Sequence, residues 1–227
     1  MLYTSLSARR ALFYFTLVLS VLSLSLSAAN AKKRKRARVK FAKKGTITIS
    51  GGLSIQSLSE TPVEKGDEVT DGDQVVNRSG FLISPRVGYF VFSNRTLAVE
   101  AAGQIGFGSS SSERDGTEGP SASTMELGLD VPVYFKMLRK NKIYPFAHVA
   151  FLRRSQSSKA GKGADEVDLS GNQIRVGAGI ALALGKREGG FFKLSLDYLV
   201  QNQLLNDKDN GNNTTGIDIG AGFGLFF

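Results

Sequence analysis

The chain has 227 residues, with 29 Lys and Arg against 20 Asp and Glu, 26 glycines, 5 prolines and no cysteine. That length holds one domain, or one domain behind a leader, and the missing cysteines exclude a disulfide framework and a thiolate metal site. The hydrophobic content is an ordinary 41%, so any lipid-facing or buried surface has to come from arrangement.

Residues 1–31 read as a secretory signal. Arg9 and Arg10 precede the apolar run "ALFYFTLVLSVLSLSLSAANA", which ends in Ala29-Asn30-Ala31. A charged start, an apolar centre and a small-x-small end predict cleavage after Ala31. The competing reading is an uncleaved anchor, because the run approaches the length of a membrane span. Residues 32–44, "KKRKRARVKFAKK", form a basic tail that carries nine of the cations. Behind a secretory leader such a run does not suit nucleic acid. It suits solvent, or an anionic phospholipid surface.

From Gly45 onward the dominant period is two, not 3.6. "TITISGGLSI" sets Ile47, Ile49, Leu53 and Ile55 on one face. "FLISPRVGYFVF" does the same with Phe81, Ile83, Val87, Tyr89 and Val91, and "LAVEAAGQIGFG" with Leu97, Val99, Ala101, Ile105 and Phe107. "TMELGLDVPVYFKM" follows the rule, while "IYPFAHVAFL" breaks it, with Phe146 and Leu152 on the wrong parity. "NQIRVGAGIALAL", "FFKLSLDYLV" and "TTGIDIGAGFGLFF" complete eight runs. The connections between them alternate long and short. Eight antiparallel strands of mostly 10 to 14 residues, with long loops at one end and tight turns at the other, make the pattern of a transmembrane β-barrel.

A soluble eight-stranded barrel would place its apolar face inside. The minority face decides between the two, for it carries charge padded with glycine and alanine. A barrel this narrow is filled by its inward side chains. Small residues there leave space for a few long charged ones, whereas pointed outward they would leave the sheet bare. The polar face is therefore expected inside and the bulky face against lipid. The four long loops sum to −8 and the three short turns to +5, which gives the barrel a consistent sidedness.

The region from Gly45 to Phe227 resembles the small outer-membrane barrels of Gram-negative bacteria, the OmpA-barrel and OmpX-like group. Its ending carries the most specific likeness: a terminal aromatic preceded by apolar residues at alternate positions. By that resemblance Phe223, Leu225 and Phe227 correspond to the signal read by the barrel-assembly machinery. The expected architecture is all-β: an eight-stranded antiparallel up-and-down transmembrane β-barrel over 45–227, exported to the bacterial outer membrane as a monomer.

The candidate constellation is a lumen charge network of Arg86, Glu100, Glu126, Asp130, Lys136, Arg175, Lys193, Asp197 and Asp218. Buried charges need partners, so mutual ion pairing is the first expectation and a narrow ion path the alternative. His148, the single histidine, lies mid-strand on the inward parity with no serine within two positions, which speaks against a nucleophilic site. Glu64, Asp67, Glu68, Asp71 and Asp73 make the first long loop acidic, suited to solvent or to divalent cations at a lipopolysaccharide surface. No cofactor, metal site or nucleic-acid partner is expected. The expected role is non-enzymatic, structural or surface-interacting through four acidic polar loops, with outer-membrane lipid and lipopolysaccharide around it. A lipid-modifying enzyme and a low-conductance pore are the alternatives.

Overall fold

The computed structural model describes residues 41–64, 67–68, 76–114, 117–136, 142–159, 166–184, 189–205 and 211–227. The leader, residues 32–40 of the basic tail and the tips of most connections lie outside them. In chain order the strands are β1 (Ile47–Glu64), a two-residue β2 (Asp67–Glu68), β3 (Val76–Ser93), β4 (Leu97–Arg114) and β5 (Thr117–Phe135). They continue with β6 (Ile143–Lys159), β7 (Glu166–Leu184), β8 (Gly189–Leu205) and β9 (Gly211–Phe226). β2 folds back on the end of β1. The other eight pair antiparallel with their neighbours, and β1 pairs with β9 from Thr48↔Phe226 to Val63↔Gly211. Ile47 and Phe227 then exchange two backbone bonds of 3.1 and 3.0 Å, which closes the ring. The sheet is an eight-stranded up-and-down barrel.

Side-chain direction follows the period of two. Leu53, Ile55, Val87, Leu127, Leu129, Val176, Leu196 and Ile219 all point out of the ring, Ile55 at 67% and Leu129 at 64% exposure. Glu100, Glu126, Asp218 and Arg154 point inward at 0 to 1%. A water-soluble barrel could not leave this many aliphatic side chains bare. The exposed face is therefore the hydrocarbon face, and the chain is a membrane-spanning barrel.

The strands are longer than the hydrophobic runs indicated, from 16 residues in β9 to 19 in β5 and β7. β4 continues to Arg114 and β5 starts at Thr117, so the stretch between "LAVEAAGQIGFG" and "TMELGLDVPVYFKM", expected as a long loop, is mostly paired strand. Backbone pairing loses nothing on leaving the bilayer, and serine and threonine do not interrupt the ladder. What changes is the outward residue, from Ile55 to Ser57, Phe107 to Ser109, Met125 to Ser123, Ile174 to Asn172 and Val200 to Asn202. In this register Phe107 faces Met125 and Ser109 faces Ser123, while Asn172 faces Asn202. That switch draws the upper edge of the lipid belt.

Phe146 and Leu152, the residues of irregular parity, point inward and are 5% and 3% exposed. Each lies over a glycine of a neighbouring strand. A Cβ on Gly179 would meet the Phe146 ring at 2.7 Å, and one on Gly128 would meet Leu152 Cδ2 at 2.9 Å. Leu82 sits likewise over Gly106 and Gly108, and Phe191 over Gly224. Lumen glycines thus make room for bulky apolar groups as well as for charges.

The basic tail is not wholly outside the barrel. Phe41 is 4% exposed and inserts at the short-turn end, its ring centroid 5.0 to 5.6 Å from those of Phe90, Tyr134, Tyr144, Phe191 and Phe226. Full burial of a phenylalanine contributes about 1.5–3 kcal/mol, and each edge-to-face partner adds about 0.5–1.5 kcal/mol. The return from plug to wall uses left-handed backbone at Ala42 (φ 61°) and Gly45 (φ 88°). The barrel unit therefore includes Phe41 and Ala42, ahead of the boundary at Gly45 read from the sequence.

Placing Leu129 against lipid has a measurable consequence. Leu129→Arg is expected to lower the folding free energy in vesicles by about 2–4 kcal/mol if the site is near the bilayer midplane. Denaturant titration of the two proteins measures it; a change within about 0.5 kcal/mol, the usual effect of a water-exposed substitution, would place Leu129 outside the hydrocarbon.

Candidate functional site

The lumen is layered along the barrel. At the short-turn end the aromatic cluster around Phe41 fills the cross-section. Toward the long-connection end most inward residues are neutral, namely Gln56, Gln156, Gln173, Gln201 and Gln203 with Leu58, Leu82, Leu152 and Leu199, but Arg154 and the Arg78–Glu60 pair stand among them. Between these layers lie the other charges.

One group of charges runs through Glu100 on β4. Its Oε2 accepts from Arg86 Nη2 at 2.9 Å and from the Tyr134 hydroxyl at 2.8 Å, and lies 3.8 Å from Lys193 Nζ. Its other oxygen accepts from the Thr48 hydroxyl. Arg86 also reaches Asp130 at 3.3 Å. His148 then bridges Asp130 and Asp197, with Nδ1 2.8 Å from one carboxylate and Nε2 2.8 Å from the other. Both contacts are hydrogen bonds only when both ring nitrogens carry protons, since a neutral imidazole has one N–H. With that imidazolium, three cations face three carboxylates.

A second group lies nearer the long connections. Arg175 donates to Glu126 at 2.9 Å and lies 3.6 Å from Asp218, while Arg154 is 3.7 Å from Glu126. Asp218 accepts from Ser54 at 3.2 Å and from Gln56 at 3.1 Å. Two cations here face two carboxylates. Further up, Arg78 Nε donates to Glu60 at 2.7 Å.

Two inward glycines are tied to the first group. A side chain on Gly88 would collide with the Glu100 carboxylate and the Thr48 hydroxyl, and one on Gly177 with Asp197 and His148. Lys193 sits among rings, 5.0 Å from the Tyr134 centroid, 5.1 Å from Phe146 and 5.7 Å from Phe191. Such cation–π contacts strengthen when desolvated, so Lys193 joins the aromatic layer to the charged one. A partly open cavity of about 110 Å³ is lined by Arg86, Asp130, His148, Arg175, Lys193 and Asp197, and by Ser50, Gly52, Gly220 and Gly222 of the β1–β9 seam, where it also reaches the outward Leu53 and Ala221.

Eight of the nine residues assigned to the lumen from the sequence meet in these groups. Lys136 departs from the set. It lies one residue beyond β5, and its ammonium donates to Ser93 Oγ at 2.6 Å and to the Asn94 carbonyl at 2.9 Å. Its inward parity has no meaning past the strand end, where the chain turns. Sequence reasoning missed Arg154 and the Arg78–Glu60 pair, which lie beyond the hydrophobic runs that defined the strands. Continuing the even-numbered parity of β6 from His148 reaches Arg154. His148 was on the inward parity, but only the fold supplies its two carboxylates.

Phe223 and Phe227 lie on the outward face near the short-turn end, 54% and 40% exposed, with the half-exposed Leu225 between them. Phe226, of opposite parity, joins the aromatic plug. Asn94 organises the first short turn by accepting from the backbone of Thr96 and Leu97, both at 2.8 Å. Of the acidic residues expected in the first long loop, Glu64 ends β1 and pairs with Asp67 of β2, which also holds Glu68, while Asp71 and Asp73 lie outside the described residues. Among the described residues no cluster of three or more His, Asp or Glu is arranged to hold a metal.

A closed ring with an aliphatic exterior and an ionised interior defines an outer-membrane-type eight-stranded β-barrel. Solved structures of that class share the fold. The Neisserial surface protein A structure superposes with a TM-score of 0.50 at 11% identity, over 80% of this chain and 99% of that one. The outer membrane protein OprG of Pseudomonas aeruginosa gives 0.51 at 10% identity, over 82% and 97%. No protein-family model matches the chain, and no curated protein sequence does.

Removing one partner of the second charge group tests its worth. Arg175→Ala leaves Glu126 with Arg154 alone at 3.7 Å and Asp218 with no cation, and truncating a buried ion pair costs about 3–5 kcal/mol. The expected outcome is a barrel destabilised by that order in denaturant titrations, with no defined large conductance in planar bilayers. A variant of unchanged stability that conducts like a porin would contradict the packing of the lumen.

Proposed function

We infer that the chain is a non-enzymatic monomer of the bacterial outer membrane whose barrel is a rigid mount for the polar surface at its long-connection end. The observation that carries this is the strand length. About 9–11 tilted residues cross a bilayer, and these strands have 16 to 19. The surplus gathers at one end, where outward positions are Ser57, Ser109, Ser111, Ser121, Ser123, Ser155, Asn172 and Asn202. A paired collar of serine and asparagine thus lifts the connections clear of the lipid headgroups. Binding function on rigid scaffolds usually sits on such connections.

The lumen supports the same reading. Its charged side chains pair with one another across the barrel, which suits a mount more than a conduit. Catalysis would need a base free to take a proton from a nucleophile, and both nitrogens of His148 are engaged by carboxylates. The surrounding lipid and lipopolysaccharide are its immediate partners. The outward Phe223, Leu225 and Phe227 would present the motif for the assembly machinery.

The test shortens the display end and keeps the barrel. Segments 61–75, 160–165 and 206–210 are each replaced by an Asn-Gly turn, and heat-modifiable gel mobility verifies folding. Cells displaying either protein are compared on a panel of immobilised glycans and matrix proteins. The parent is expected to be retained on at least one surface about tenfold better, a difference of roughly 1.4 kcal/mol. Equal retention everywhere, together with altered lipid composition or a single-channel current in the parent alone, would replace the binding role with an enzyme or a pore.

A further inference from the structure

The short-turn end of the lumen is closed by a residue that precedes the barrel wall. Phe41 is held by five rings that four different parts of the wall contribute: Phe90 on β3, Tyr134 on β5, Tyr144 on β6, and Phe191 and Phe226 from the β8–β9 hairpin. The backbone keeps it there through Gly45 N–H to the Phe90 carbonyl at 2.9 Å, with Ser93 Oγ donating to the Ala42 carbonyl at 3.0 Å.

Directly behind this plug is the cavity of about 110 Å³. Two rings connect the two features. Phe191 touches Phe41 and lines the cavity, and Phe146 packs against Tyr134 at 5.5 Å and also lines it. Phe41 is the member of this aromatic layer that no barrel strand carries. It can leave without breaking a ladder bond, and Phe191 would then have room to turn from the cavity toward the emptied position.

We propose that Phe41 is a stopper, and that the segment before β1 controls access from the short-turn side to the charged cavity of the lumen. With the stopper seated the short-turn route into the cavity is closed to small solutes. With it withdrawn, the aromatic ring of the wall becomes an open mouth leading to Ser50, Lys193 and His148. The sequence joins the stopper directly to cations on either side, Lys40 before it and Lys43 and Lys44 after it, so a polyanion that engages those cations would pull on the stopper.

The chain has no cysteine, so one introduced thiol reports on the cavity without competition. Ser50→Cys places it on the cavity wall, away from the hydrogen bonds of the charge network. Its modification by a small methanethiosulfonate reagent is timed in the folded protein, alone and combined with Phe41→Ala or Phe41→Leu. Access and thiolate fraction govern such rates, and the local charges are common to all three proteins. The expected result is roughly tenfold faster labelling with Phe41→Ala and an intermediate rate with Phe41→Leu. Gln156→Cys, in the outer half of the lumen, is expected to label at one rate in every background. If Phe41→Ala does not fold, Phe41→Leu alone decides, by a rate above or equal to the parent. Equal rates at Ser50→Cys in the folded proteins would overturn the proposal. A parallel rise at Gln156→Cys would also overturn it, since that marks general loosening.

Discussion

Within hydrocarbon there is no water to satisfy a backbone amide or carbonyl, so every one has to pair inside the protein. The pairing of β1 with β9 meets that demand, and the rest of the molecule follows from it. A closed ring has one face toward lipid and one toward a narrow lumen, and the period of two sorts every residue to one or the other. Residues that would form the core of a soluble domain, such as Ile55, Leu129 and Ile219, are more than 60% exposed. Those that would cover its surface, such as Glu100, Glu126 and Arg154, are the most enclosed.

Enclosure sets the second constraint. A lumen of eight strands has to be filled, and anything ionised in it needs a partner. The structure answers by stratification. Aromatic rings close the short-turn end, amides and leucines predominate in the outer half beside the Arg78–Glu60 pair, and most ionised groups occupy the middle in two sets, the first of which balances with His148 as the imidazolium. Glycine sets the spacing. At Gly88 and Gly177 it admits a carboxylate, and at Gly128 and Gly179 it admits a leucine and a phenylalanine. Lys193 belongs to two strata at once, with its ammonium near Glu100 and its surroundings aromatic.

The eight-strand count, the closure and the inward charges were legible because alternation, once anchored by any long apolar run, assigns each residue a side. Alternation failed where its premises did. Phe146 and Leu152 are bulky yet inward, because the space they occupy is created by glycines on neighbouring strands, and pairing register is not written in a single strand. Lys136 lies past the strand end, where parity lapses. The strand extensions beyond the lipid belt read as loops in the sequence, since their outward residues are serine and asparagine and the hydrophobic signal stops at the edge of the belt. Phe41 was invisible for another reason: it is one ring in a run of cations, and the cluster that receives it is assembled from four separate segments of the wall.

The orientation of the two faces carries the whole account, and the chain has no tryptophan to obscure a direct reading of it. Leu196, 59% exposed on β8, can be replaced by tryptophan and the protein folded into vesicles whose acyl chains carry bromine. A lipid-facing Leu196 position gives blue-shifted emission, strong quenching by the brominated chains and little quenching by aqueous acrylamide. Emission typical of water, quenched by acrylamide and indifferent to the bromine, would mean that the aliphatic face of the barrel does not meet lipid.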